Sequence, residues 1–79
     1  MSEYSTVLKR IYELLATFIK DSELNESSEL VAQYGMNSLQ VMELIADIED
    51  DFDISVPLNT VSDILTVGDL AREIQALVD

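Results

Sequence analysis

The sequence contains no cysteine, no histidine and no tryptophan, only one proline and two glycines, and four basic residues against sixteen acidic ones. Without cysteine there are no disulfides and no thiolate nucleophiles. Without histidine the commonest general base and the usual zinc sites are missing as well, and a Ser-His-Asp arrangement cannot be built within the chain. Lys9 and Lys20 are the remaining candidate bases, and both fall on a helix face that reads as solvated. No catalytic residue and no metal site are therefore expected, and the chain reads as a non-catalytic protein. No run reaches the ~18 apolar residues of a membrane helix. The start "MSEYSTVLKR" lacks the apolar core of a signal peptide, so the expected location is cytoplasmic.

What is present is apolar residues and negative charge. The 79 residues are 48% hydrophobic, enough to fold as one small domain spanning 1–79 but with a thin stability margin. With few alternating β-branched runs, the expected class is all-α. A net charge of −12 repels nucleic acid and anionic membranes and attracts proteins with basic patches. The bases Lys9, Arg10 and Lys20 lie early. From Ser38 to Asp69 come the acids Glu43, Asp47, Glu49, Asp50, Asp51, Asp53, Asp63 and Asp69, with no base among them. Such a run is either a solubilising surface or a docking face, and the absence of any base within it favours docking.

Along the chain, residues 5–20 place Leu8, Ile11, Leu15 and Phe18 at helical spacing, with Val7, Leu14 and Ile19 widening the stripe. Residues 21–36 form a long polar connection with Leu24, Leu30, Val31 and Tyr34 as expected anchors, and Gly35 supplies a turn. A second helix is expected from Ser38 to about Asp51, with Asn37 as N-cap and Gln40 completing a capping box. Pro57 breaks the pattern, and a short helical turn is expected over 59–64. A last helix follows Thr66 as N-cap and Asp69 at N3, with Val67, Leu70, Ile74 and Leu77 on one face and Gly68 in its first turn. The expected architecture is a small helical bundle of three main helices plus one short helix, with a long loop between the first two.

The second helix carries two apolar stripes. At about 100° per residue, Val41, Leu44, Ile45, Ile48 and Phe52 share one arc, while Leu39, Met42 and Ala46 cluster elsewhere beside Ser38, flanked by Glu43, Glu49 and Asp50. Either the helix is buried on more than one side, or the second stripe is an apolar centre with a charged rim, as in transient interfaces. The docking alternative is preferred, and Met42 would let the surface adapt to several partners.

Ser38 stands at the start of this helix, where unpaired N–H groups and the positive dipole end stabilise a phosphate ester. A serine there is ordinarily a cap, but Asn37 can do the capping and leave the hydroxyl spare. The stretch "GMNSLQVMELIADIEDDFDISVP" resembles the acyl carrier proteins, whose hallmark is G-x-D-S-L, an acidic helix and an E/D-F-x-I-x-V/I-P ending. "LTVGDLA" extends the resemblance to the last helix, so that it covers nearly the whole chain. It implies a freestanding carrier with 4′-phosphopantetheine on Ser38, installed from coenzyme A by a phosphopantetheinyl transferase and holding an acyl group as a thioester. It also implies that Leu39, Met42, Glu43, Ala46, Glu49 and Asp50 dock onto basic patches of acyl-loading and condensing enzymes. A monomer without nucleic-acid or membrane partners is expected, serving polyketide, fatty-acid or other specialised biosynthesis.

Two residues depart from the family pattern. Asn37 replaces the usual aspartate and removes a charge beside the serine, and Tyr34 replaces a leucine; both lean toward a specialised pathway. A freestanding aminoacyl or peptidyl carrier is an alternative, although "GMNSL" lacks the G-G-H/D-S pattern of peptidyl carriers. A second alternative is a cofactor-free helical adaptor of the same fold. A calcium loop beginning at Asp47 fails, because its sixth and twelfth positions, glycine and glutamate in an EF-hand, hold Phe52 and Leu58.

Overall fold

Four helices, α1 (Tyr4–Leu15), α2 (Ser38–Phe52), α3 (Leu58–Val61) and α4 (Val67–Val78), follow one another in a computed structural model that describes residues 3–20 and 23–78. Asp21 and Ser22, at the start of the long connection, lie outside the described residues. The expected all-α bundle of three main helices and one short helix is what the chain forms. Its core joins Val7, Ile11 and Leu15 of α1 to Leu44, Ile45 and Ile48 of α2 and to Val67, Leu70, Ala71 and Ile74 of α4. The most extensive helix packing is between α1 and α4. No helix among the described residues is long and apolar enough to cross a membrane.

α1 ends five residues earlier than its apolar spacing predicts. The Thr17 hydroxyl donates to the Leu14 carbonyl at 2.9 Å, and the Thr17 and Phe18 N–H groups donate three residues back, so the chain tightens into turns. The apolar spacing still marks burial there: Ile19 is buried and Phe18 half-buried beyond the helix end. The short helix is also displaced, to Leu58–Val61 rather than 59–64. Pro57, with φ −60°, is its N-cap, and the Thr60 hydroxyl donates to the Pro57 carbonyl at 2.8 Å.

The long connection is fastened to the segment before α4. Glu29 and Thr66 form an isolated antiparallel bridge, Leu30 N–H donates to Leu65 O at 3.1 Å, Val67 N–H to Ser28 O at 3.0 Å and Gly68 N–H to Glu26 O at 2.9 Å. A Cβ on Gly68 would stand 3.1 Å from the Glu26 carbonyl, so this close approach, and not tolerance of a weak first turn, explains the glycine. Of the expected anchors, Leu30 is buried, Leu24 and Tyr34 are half-buried and Val31 is exposed, because the chain turns at residues 31–34 with Val31 outward; Met36 is buried instead.

Thr66 and Asp69 form the expected reciprocal cap at the start of α4: Asp69 N–H donates to Thr66 Oγ1, and Asp69 Oδ2 accepts from Thr66 N–H, each at 3.1 Å. The carboxylate also accepts from Leu65 N–H and pairs with Arg72. These bonds, led by those from the Thr66 and Leu65 N–H groups, hold Asp69 below the ordinary carboxylate range. A carboxylate with a lowered native pKa stabilises the fold fully above its unfolded pKa and stops doing so as pH falls through the native value. The stability difference between the unsubstituted chain and Asp69→Ala, from urea unfolding, is therefore expected to hold steady near neutrality. It should begin to shrink as pH drops past about 4 and go on shrinking below it.

Candidate functional site

The buried Met36 and the turn at Gly35 place the residues that matter. Gly35 has φ +69°, a left-handed conformation that favours glycine, and Met36 N–H donates to Leu30 O at 3.1 Å. Asn37 then caps α2: its Oδ1 accepts from Gln40 N–H at 2.8 Å, and Gln40 Oε1 accepts from Asn37 N–H at 3.1 Å. With both halves of the capping box filled by Asn37 and Gln40, Ser38 has no capping task. It is exposed, at the first turn of a fifteen-residue helix, and its hydroxyl makes no hydrogen bond among the described residues.

Ser38 sits on the edge of a groove of about 650 Å³. Leu30, Val31 and Met36 of the connection line it, together with Val41 and Met42 of α2. Leu58, Val61, Ile64 and Leu65, from α3 and the segment after it, also line it, and among the described residues Ser62 is the one polar side chain besides Asn37 and Ser38. Among the described residues no charged or aromatic side chain lines it. The exposed large hydrophobics of the described chain are Val31, Leu39, Met42, Leu58 and Leu65, and all but Leu39 belong to this groove. Sequence periodicity identified Leu39 and Met42 but not Val31, Leu58 or Leu65, which come together only through the packing of the connection and α3 against α2.

The two stripes of α2 have different environments. Leu44, Ile45 and Ile48 are buried and Val41 and Phe52 half-buried, whereas Leu39 is 68% exposed, Met42 39%, and Ala46 is exposed. Burial of α2 on both sides therefore does not occur. Glu43 and Asp50 flank the outer stripe and are exposed, but Glu49 is half-buried, with Oε2 accepting from Val56 N–H at 2.8 Å.

The acidic run is less uniform than it reads in sequence. Arg10 of α1, forty-one positions away, grips Asp51 through both of its carboxylate oxygens, with the Nε bond at 2.8 Å. Arg10 thereby lowers the pKa of Asp51, and its own is raised in return. With Asp69 held by Arg72 and Glu49 by a backbone N–H, the acids left without an internal partner among the described residues are Glu43, Asp47, Asp50, Asp53 and Asp63. These carry the field outward.

A family model described as "Phosphopantetheine attachment site" matches residues 9–74. The chain belongs to the acyl carrier protein family. It is 37% identical over 57 residues to an acyl carrier protein of Wolinella succinogenes, covering 72% of this chain and 75% of that one. An acyl carrier protein of Phenylobacterium zucineum is 30% identical over 73 residues, 90% of this chain and 92% of the relative. A third similarity, 38% identity over 64 residues, falls within the 3-methylorcinaldehyde synthase tropA of Talaromyces stipitatus, where it takes in 78% of the carrier but 2% of the synthase. The covalent cofactor of the carrier is 4′-phosphopantetheine. An exposed, unengaged serine at a helix start fits such a group: its hydroxyl is accessible to a transferase, and the helix end favours the phosphate charge.

Proposed function

We propose that Ser38 is the attachment point of 4′-phosphopantetheine and that the carrier presents acyl intermediates to successive enzymes of a polyketide, fatty-acid or other specialised pathway. The observation that carries this reading is the spare hydroxyl of Ser38 beside an apolar groove. The arm supplies a thiol on which the acyl group rides as a thioester. The chain's own residues do the rest. Asn37 and Gln40 hold the helix start so that Ser38 projects from it, and the unpaired N–H groups there stabilise the phosphodiester. The groove shelters an apolar tail from water.

The groove also bears on the cargo. Aliphatic side chains and methionines, with no charged partner for an ammonium group, suit an aliphatic acyl tail better than an aminoacyl one. This supports the acyl type over the aminoacyl alternative, while Asn37 and Tyr34 lean the assignment toward a specialised pathway.

Docking is assigned to Leu39, Met42, Glu43, Ala46 and Asp50, an exposed apolar strip with acids beside it. It fits basic patches on the phosphopantetheinyl transferase and on acyl-loading and condensing enzymes, where charge speeds encounter and modest apolar area keeps release fast. The carrier acts as a cytoplasmic monomer and as a substrate of these enzymes.

Intact mass before and after incubation with coenzyme A and a broad-specificity phosphopantetheinyl transferase tests the assignment. A gain of one arm is expected. No gain, either for the chain or for Asn37→Asp, which restores the usual residue beside the serine, would favour the cofactor-free adaptor.

A further inference from the structure

Glu49 behaves unlike the other acids of α2. Its main-chain carbonyl accepts the N–H groups of Asp53 and Ile54, and its carboxylate accepts that of Val56, seven positions on. Between them lies the reversal of the chain, with Asp53 in the left-handed region at φ 55°. Past Ile54 the helix offers nothing further: among the described residues no backbone carbonyl accepts from the Ser55 or Val56 N–H. Val56 is 7% exposed, so its N–H would be a buried donor without a partner if Glu49 did not reach it. Pro57 follows directly as the N-cap of α3, whose Leu58 and Val61 line the groove together with Val41 and Met42.

We propose that Glu49 is a positioning residue for the groove and not one of the docking acids. Its carboxylate fixes the exit from α2, and through Val56 and Pro57 it sets α3 beside Ser38. The consequence for cargo rests on the carrier function proposed above; the anchoring itself belongs to the unmodified chain and is measured there. The exposed acids Glu43, Asp47 and Asp50 have no such internal contact among the described residues, which leaves them to a partner.

The two roles separate on substitution. Glu49→Gln keeps an oxygen acceptor at nearly the same reach and removes the charge, whereas Glu49→Ala removes both. A positioning role predicts that hydrogen exchange of the Val56 amide, measured on the unmodified protein, rises about tenfold in Glu49→Ala and far less in Glu49→Gln. It predicts faster spontaneous hydrolysis of an octanoyl thioester on the loaded Glu49→Ala carrier, with Glu49→Gln close to the unsubstituted protein. It also predicts that Glu49→Gln shifts the KM of the transferase less than Glu43→Gln does. Unchanged Val56 exchange in Glu49→Ala overturns the proposal, as does a Glu49→Gln effect on KM equal to that of Glu43→Gln. Failure of the unsubstituted chain to accept the arm would instead overturn the carrier reading and leave the Val56 result standing.

Discussion

Ser38→Ala is expected to abolish the mass gain from transferase and coenzyme A completely while leaving the melting temperature nearly where it was. The two halves of this result come from different residues. Attachment needs the hydroxyl, and the chain offers no histidine-activated or thiol substitute elsewhere. Stability at the helix start comes from Asn37 and Gln40, whose reciprocal hydrogen bonds are untouched by the change. Alanine is the better helix former, so the stability effect should stay within about 0.5 kcal/mol. Asn37→Ala should do the reverse. It keeps the serine but loses the cap, at a cost of about 1 kcal/mol. Thermal melts and intact masses of the two variants, measured side by side, check the assignment. A large loss of stability in Ser38→Ala would mean that the serine, not Asn37, caps α2.

The largest stability effect is expected in the core of α1. Ile11 is wholly buried among residues of α1, α2 and α4. Ile11→Ala removes buried methyl and methylene groups and leaves a cavity, a change that costs about 2–5 kcal/mol. A domain of this length has in total only about 4–12 kcal/mol. The substitution should therefore remove a large share of the stability and lower the urea midpoint by roughly 2–5 M at a slope of about 1 kcal/mol/M. Leu65→Ala provides the contrast. At 63% exposure on the groove edge it should change the stability by no more than about 0.5 kcal/mol.

The features legible in the sequence are those written within a few residues of one another. Asn37 with Gln40, and Thr66 with Asp69, announce helix starts by spacing alone, and both caps form. The two stripes of α2 follow from its period, as does the separation of buried Leu44 and Ile48 from exposed Leu39. What spacing cannot give is what comes together from afar. Arg10 reaching Asp51 and the connection pairing with the segment before α4 are set by tertiary packing. The rim formed by Val31, Leu58 and Leu65 arises in the same way. Glu49 illustrates the difference. Its place on the helix wheel puts it beside the docking acids, but the amide of buried Val56, further along the chain, engages its carboxylate. Gly68 is similar, since its reason lies in the Glu26 carbonyl and not in its own helix.

The dominance of α1–α4 packing has a consequence for how the chain is made. These helices are the first and last of the four, so the contacts that matter most close a loop over most of the sequence. A polypeptide leaving the ribosome presents residues 4–15 long before residues 67–78. Throughout that interval the apolar stripe of α1 lacks its main partner. The core shared by α1, α2 and α4 can close only once residues 67–78 have emerged.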